Sequence, residues 1–209
     1  MDIFTASGLG MVEPVRKFLK EQGTSGWTHA TGPKGRHSAF GGYGVTPLHC
    51  AARGGSVEVA AILIERGLSV SATDSQGATP LHWAAAEGQL NTAKLLIEKG
   101  ADVNATNLFG STPLLAVARG KVASAVVQLL VQSGARVSAV DSRGENALHK
   151  LAWFGYPQEN IKSAQTLLDA GADVNAKNHD GKTPLDILSD NKFRNEGLVK
   201  LYRNYARGR

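Results

Sequence analysis

One phrase returns through most of this chain at a period of about 33 residues. Its clearest part is threonine before proline, and successive occurrences stand 33, 33, 34 and 37 residues apart. They are Thr46-Pro47, Thr79-Pro80, Thr112-Pro113, the variant Asn146-Ala147, and Thr183-Pro184. A period of this length indicates a series of small structural units, each of which buries its apolar face only against its neighbours.

Each copy is predicted to hold two short helices that follow a turn. Threonine before proline is typical of a helix N-cap and the first helical position, where the missing N–H of proline costs nothing. In one copy the first helix, LHWAAAEG, ends at Gly88, and a second helix ends at Gly100. Helices of about ten residues do not persist alone in water, so they must pack on other copies. The turns are DSQG (74–77), NLFG (107–110), DSRG (141–144) and NHDG (178–181).

The period, the phrase TPLHWAA, the segment GADVNA (100–105) and the turn D-x-x-G together resemble the ankyrin repeat. The resemblance covers nearly the whole chain. It implies an all-α repeat solenoid in which helix pairs alternate with β-turn fingers, as one elongated domain over residues 1–209. The expected parts are an N-terminal helix pair (1–23), a long glycine-rich finger loop (24–45), repeats at 41–73, 74–106, 107–140 and 141–177, and a C-terminal capping repeat (178–209).

Two histidines, His49 and His82, occupy the same position in successive copies and could suggest a metal site or a catalytic base. Equivalent positions in stacked helices lie about 8–10 Å apart, whereas metal–ligand bonds are about 2 Å long. Two other copies have Leu115 and Asp186 at this position. In ankyrin proteins this histidine hydrogen-bonds to the backbone, so the resemblance implies a structural role.

Other candidates for chemistry are weak. Cys50 is the single cysteine and has no histidine partner, so it is predicted to be a packed thiol. The segment GPKGRH (32–37) lacks the pattern of a phosphate-binding loop, and there is no C-x-x-C or H-E-x-x-H motif. We therefore expect no catalytic residue, no metal and no cofactor.

The charge and the hydropathy bear on partners and location. The formal net charge of +5 arises from residues 192–209, which hold six basic residues and one acidic residue. This segment is predicted to be a capping helix with Leu198 and Tyr202 facing inward, or alternatively a site for anionic ligands. Nucleic acid is not an expected partner. With one cysteine, no recognisable signal peptide and no apolar run of about 18 residues, the chain is expected to be cytoplasmic and not bound to membranes.

The resemblance implies that a protein partner binds the turn tips and the inner face of the first helices. The chain is then a scaffold or adaptor that acts as a monomer. Five of the candidate residues, Phe109, Arg119, Arg143, Trp153 and Phe154, are expected to converge where the repeats at 107–140 and 141–177 meet. The full set of candidate partner-binding residues is Tyr43, Arg53, Gln76, Glu87, Leu108, Phe109, Arg119, Arg143, Trp153 and Phe154.

Several alternatives remain open at this point. Trp153 and Phe154 either contact a partner or pack under the expanded connection at 153–162. The loop at 24–45 either overhangs the groove or covers the first repeat, and an enzymatic or small-ligand site in this loop and the groove is the main rival to protein binding. Trp83 is assigned to the core.

Overall fold

The computed structural model describes residues 2–23, 44–120, 123–153, 157–190 and 195–208. Within these ranges the chain forms twelve α-helices and no strand. The helices are α1 (Ile3–Gly8), α2 (Val12–Gln22), α3 (Pro47–Gly54), α4 (Val57–Glu65), α5 (Pro80–Ala86), α6 (Leu90–Glu98), α7 (Pro113–Arg119), α8 (Ser124–Gln132), α9 (Ala147–Trp153), α10 (Pro157–Asp169), α11 (Pro184–Asp190) and α12 (Glu196–Arg207).

The helices are arranged in two layers. Helix α1 packs on α3, and the series continues through α5, α7 and α9 to α11, which forms the first layer. Helices α2, α4, α6, α8, α10 and α12 follow one another in the same way and form the second layer. Each consecutive pair is a unit, from unit 1 (α1 and α2) to unit 6 (α11 and α12). This architecture confirms the predicted all-α repeat solenoid.

The start of each first-layer helix follows from the threonine–proline pair. Thr46 has an extended backbone, with φ −104° and ψ 161°, and Pro47 is the first helical residue of α3. The next residue, Leu48, is fully buried, and so are the two small residues Ala51 and Ala52 on the following turn. Small side chains at these positions allow neighbouring helices to approach closely, which builds a core mainly of leucine, valine and alanine.

The histidine of unit 2 connects this unit to the next one. The Nδ1 atom of His49 accepts a hydrogen bond from the backbone N–H of Thr46 at 3.1 Å. With Nδ1 as acceptor, Nε2 carries the proton and donates to the carbonyl oxygen of Ala78 at 3.0 Å. The ring is fully buried, and burial lowers the pKa of His49 to about 4. A neutral imidazole therefore takes part in capping the N-terminus of its own helix and positions the start of unit 3.

The same bridge recurs in two other units. His82 of unit 3 donates from Nε2 to the carbonyl oxygen of Ser111 at 2.9 Å, and burial lowers its pKa. His149 of unit 5 makes the equivalent bond to Lys182 at 3.0 Å. Unit 4 has buried Leu115 at this position and therefore makes no such bond. The structural role predicted for His49 and His82 is confirmed by these hydrogen bonds.

Each turn is held by the first residue of its four-residue sequence. The Oδ1 atom of Asp74 accepts from the backbone N–H groups of Gln76 (2.8 Å) and Ala78 (2.9 Å). Gly77 ends the turn with a φ of +74°, a left-handed conformation that glycine adopts readily. The turn tips are also joined to one another, because the N–H of Leu108 donates to the carbonyl oxygen of Gln76 at 2.9 Å.

Replacing His49 with leucine, the residue that unit 4 has at this position, tests the bridge. The variant should lose about 1–3 kcal/mol of unfolding free energy at pH 7.5, because the carbonyl of Ala78 and the N–H of Thr46 lose their partner. Urea unfolding followed by circular dichroism measures this loss.

The loss should also depend on pH. Since the pKa of His49 is lowered in the folded state, its stabilising contribution is complete above the unfolded pKa of about 6.5 and decreases as the pH falls toward 4. The difference between wild type and His49→Leu should therefore be smaller at pH 5.5 than at pH 7.5. The variant keeps the other two bridging imidazoles, so an equal difference at both pH values would contradict the proposed protonation state of His49.

Candidate functional site

A cavity with a volume of about 520 Å³ opens on the first helix layer, where it faces the turns. Its lining comes from α3, α5, α7 and α9 and from the turns that precede α5, α7 and α9. We call this cavity the notch. The residues that line it are Arg53, Ala78, His82, Trp83, Ala86, Glu87, Asn107, Phe109, Ser111, Ala116, Arg119, Gly120, Asp141 and Lys150.

The notch exists because side chains at one position of the repeat differ greatly in size. The residue four places after the capping residue is Cys50 in unit 2, Trp83 in unit 3, Ala116 in unit 4 and Lys150 in unit 5. A methyl group thus lies between an indole and a long amine. Gly120 also lines the notch, and its backbone lies so close to Ala86 that a Cβ there would collide with the carbonyl oxygen of Ala86. Units 3 and 4 therefore approach closely below an open space.

Trp83 forms one wall of the notch. Its Nε1 donates to Oδ2 of Asp74 at 2.9 Å, and its ring meets the imidazole of His49 edge-on with centroids 5.5 Å apart. The guanidinium carbon of Arg53 lies 5.9 Å from the centroid of the tryptophan ring. These contacts fix the orientation of the indole. Trp83 is half-buried and packs against the hydrophobic core, as predicted, and it also lines the notch.

Lys150 forms the opposite wall and is almost completely buried. Its Nζ donates to Oδ2 of Asp141 and to Oε2 of Glu145, and Oε1 of Glu145 accepts from Nε1 of Trp153 at 3.1 Å. Burial raises the pKa of each carboxyl group, but the hydrogen bonds and charge of Lys150, together with backbone N–H donors at Asp141 and Trp153 at Glu145, outweigh this, so both pKa values lie below their usual range. The two carboxylates and the amine form a fixed ionic cluster.

Two charged residues form an ion pair at the unit 2 end. The Nε of Arg53 lies 3.6 Å from Oε1 of Glu87. The backbone carbonyl of Arg53 also accepts from Nε2 of Gln89 at 3.1 Å. Because both side chains of the pair reach solvent, the pair contributes little to stability. The two opposite charges cancel along this edge of the notch.

The remaining wall belongs to unit 4. Phe109 is 51% exposed at the turn tip and lines the notch, whereas its neighbour Leu108 is 74% exposed and does not line it. The backbone N–H of Phe109 donates to Oδ1 of Asn107 at 2.9 Å, which fixes the tip. Arg119, also exposed, makes no ion pair with any residue in the described ranges.

The structure brings together four of the ten predicted contact residues, namely Arg53, Glu87, Phe109 and Arg119. Gln76, Leu108, Arg143 and Trp153 are exposed but lie outside the notch lining. Tyr43, Phe154 and most of the predicted finger loop lie outside the described residues, so the structure does not place them.

The predicted convergence of Phe109, Arg119, Arg143, Trp153 and Phe154 where two repeats meet stays a prediction. Phe109 and Arg119 both line the notch. Arg143 lies at an exposed turn tip, and Trp153, also exposed, donates to Glu145 of the ionic cluster.

Sequence reasoning missed Trp83, Ala116 and Lys150, which form both walls and the floor. One signal was available, since their shared position holds a tryptophan, an alanine and a lysine in successive copies. A position that only packed the core would not need such different side chains.

Cys50 is buried and has a free thiol. Burial raises the pKa of Cys50 to about 12, so its thiol stays protonated, which agrees with the predicted packed thiol. Among the residues that the structure describes, there is no group of three or more His, Cys, Asp or Glu that could hold a metal ion. Likewise, none of the helices in these ranges has the length and apolar character needed to cross a membrane.

Comparison with known families agrees with the geometry. The family model for ankyrin repeats (3 copies) matches residues 3–107 and again residues 104–178. The chain belongs to the ankyrin repeat family. Ankyrin repeats generally mediate protein–protein interaction, and the domains that they form are typically non-catalytic.

Replacing Lys150 with methionine tests the ionic cluster. At pH 7 the variant should lose about 3 kcal/mol of unfolding free energy, because Asp141 and Glu145 would face each other without a cation. The loss should shrink at pH 4, since in the variant burial favours the protonated carboxyl groups. Urea unfolding at the two pH values measures both effects.

The double variant with Lys150→Met and Glu145→Gln is the control. It removes one of the two opposing charges and keeps an acceptor for Trp153, so it should recover part of the lost stability at pH 7. If Lys150→Met alone were as stable as wild type at pH 7, the cluster would have no role in holding this wall.

Proposed function

We propose that the chain is a non-catalytic protein-binding module whose notch receives a segment of a protein partner. In this proposal residues 1–209 act as one monomeric domain, a scaffold or adaptor in the cytoplasm. Nucleic acid and membranes are not partners. The observation that carries the proposal is the notch itself, an open cavity with two aromatic side chains, Trp83 and Phe109, over a floor of small residues.

The size and lining of the notch suit a binding site. A volume of about 520 Å³ lies within the usual range of ligand-binding pockets, about 300–1,000 Å³. Aromatic side chains are frequent among the residues that dominate binding energy at protein interfaces. Phe109 exposes half of its surface to water, so covering it by a partner would release that apolar surface from solvent.

The walls are also fixed before a partner arrives. The indole of Trp83 is held by Asp74 and packs on His49, and the turn tip of Phe109 is held by Asn107. A preorganised surface loses little side-chain entropy on binding, so more of the contact energy appears as affinity. The other predicted contacts, Gln76, Arg143 and Trp153, would flank the bound segment, and Tyr43 and Phe154 stay in the proposal as predicted.

Filling the notch tests the proposal. Ala116→Trp places in unit 4 the side chain that Trp83 has at the same position of unit 3, so the fold should tolerate it. The bulky ring should occupy the cavity and weaken partner binding by about 100-fold or more, as expected when a buried anchor loses its pocket. Proteins retained from a lysate of the source cells by wild type, and not by the variant, identify the partner, and a titration with the purified partner measures the change.

Leu90→Trp is the matched control, because it adds an indole on the second helix layer at a residue that is exposed and outside the notch. This variant should retain the partner with unchanged affinity. A partner that binds Ala116→Trp as tightly as wild type would show that the notch is not the binding site.

Alanine variants of two neighbouring residues distinguish binding at the notch from binding at the turn tip. Phe109→Ala should weaken partner binding by about 2 kcal/mol, while Leu108→Ala should change it little, because only the phenylalanine lines the notch. Both variants should fold normally, since both residues are exposed and truncation leaves no core cavity. Equal losses in isothermal titration calorimetry would instead indicate a contact with the whole tip.

A further inference from the structure

We infer that the notch selects a segment of a protein partner that carries a large apolar side chain close to a carboxylate. The inference rests on the proposed function and adds the chemistry of the partner. Its basis is the charge that the notch leaves unsatisfied, together with the shape of its floor.

The carboxylate oxygens at the notch already accept hydrogen bonds from groups of the chain itself. Oδ1 of Asp141 already accepts from the backbone N–H groups of Arg143 (2.9 Å) and Glu145 (3.0 Å), and its Oδ2 accepts from Lys150. Both oxygens of Glu145 are used as well, by Lys150 and by Trp153. A lysine or arginine of a partner would therefore lose water and share carboxylate oxygens that Lys150, Trp153 and the backbone already occupy.

Glu87 is neutralised in a similar way, since its Oε1 lies beside the guanidinium of Arg53. Arg119 differs from these groups. It lines the notch, is exposed, and makes no ion pair with any residue in the described part of the chain. An arginine with free donors binds a carboxylate through two parallel hydrogen bonds, so charge complementarity favours an acidic side chain at this edge.

The floor favours an apolar side chain next to that carboxylate. Ala116 and Gly120 leave depth for a leucine, phenylalanine or tryptophan against the ring of Trp83. Ala116 and Arg119 are three residues apart on α7, which places them on the same side of the helix with about 5–6 Å between their Cβ atoms. In an extended partner, side chains two positions apart lie on one side at about 6.6 Å. The acidic residue therefore belongs within two positions of the apolar residue.

A phage-displayed library of random twelve-residue peptides, selected against the 209-residue chain, is the probe. Enriched peptides should carry Asp or Glu within two positions of Leu, Phe or Trp. The most enriched sequence is then synthesised with its acidic residue retained, replaced by glutamine, or replaced by lysine. The acidic form should bind at least tenfold more tightly than the lysine form in fluorescence anisotropy.

Charge reversal at one residue then tests the role of Arg119. Arg119→Glu should lower the affinity for the acidic peptide at least tenfold. It should also reduce or reverse the preference for the acidic peptide over its lysine form. Lys94→Glu, the same change of charge on the exposed side of α6, should leave both affinities unchanged. Unfolding curves of both variants confirm that each is folded.

Ala116→Trp separates failure of the proposed binding site from failure of the inferred partner chemistry. If this variant abolishes peptide binding but the peptides show no acidic preference, or bind Arg119→Glu equally well, the inferred chemistry is wrong and the notch remains the binding site. If the peptides bind Ala116→Trp as well as wild type, the notch is not their site and the proposed function fails with the inference. A basic consensus, or a selection that enriches no peptide, also overturns the inference.

Discussion

The imidazole ring of a first-layer histidine makes two hydrogen bonds that the rest of this fold depends on. One nitrogen accepts from the residue that caps its own helix, and the other donates to a carbonyl just before the next first-layer helix. The first-layer helices α3 to α11 have seven or eight residues and cannot persist alone, so their position must come from the neighbouring units. The bond from His49 to Ala78 fixes where Thr79 begins α5, and the indole of Trp83 then packs against the same imidazole. One wall of the notch is thus set by the contact that stacks the units.

Regular backbone and irregular side chains together produce the site. The position held by Cys50, Trp83, Ala116 and Lys150 lies on the same side of each first-layer helix. In two of these units the side chain reaches the acidic residue of its own turn, since Trp83 bonds to Asp74 and Lys150 bonds to Asp141. Alanine cannot reach its turn, and the space that it leaves is the notch. The depth of this surface is therefore encoded by side-chain size at one position of the repeat.

The sequence predicts the fold well because its signals are local and repeated. A threonine–proline start, a glycine end and a turn held by its first residue each depend on a few adjacent residues, and five copies confirm one another. The partner of His49 was not predictable in this way, because Ala78 lies 29 residues away and meets the ring only after stacking. The site was predicted in part for the same reason. Whether Trp83, besides packing against the core, also lines a cavity depends on the size of Ala116 in the adjacent unit, which no single copy contains.

The exchange of histidine for Leu115 in unit 4 makes the coupling between neighbouring units uneven. Units 3 and 4 are joined by the bridge from His82, and also by Asn104, whose side chain bonds to the backbone of Gly134 and Arg136. Between units 4 and 5 the imidazole bridge is missing. In a stack whose stability is a sum of unit and interface terms, the missing bond lowers one interface term, and the N–H of Ser124, which donates to Oε2 of Glu159 at 3.0 Å, still joins the two units. The notch spans this boundary, with Arg119 on one side and Lys150 on the other. A segment bound there would add contacts between units 4 and 5 and so raise the interface term that the exchange to leucine lowers.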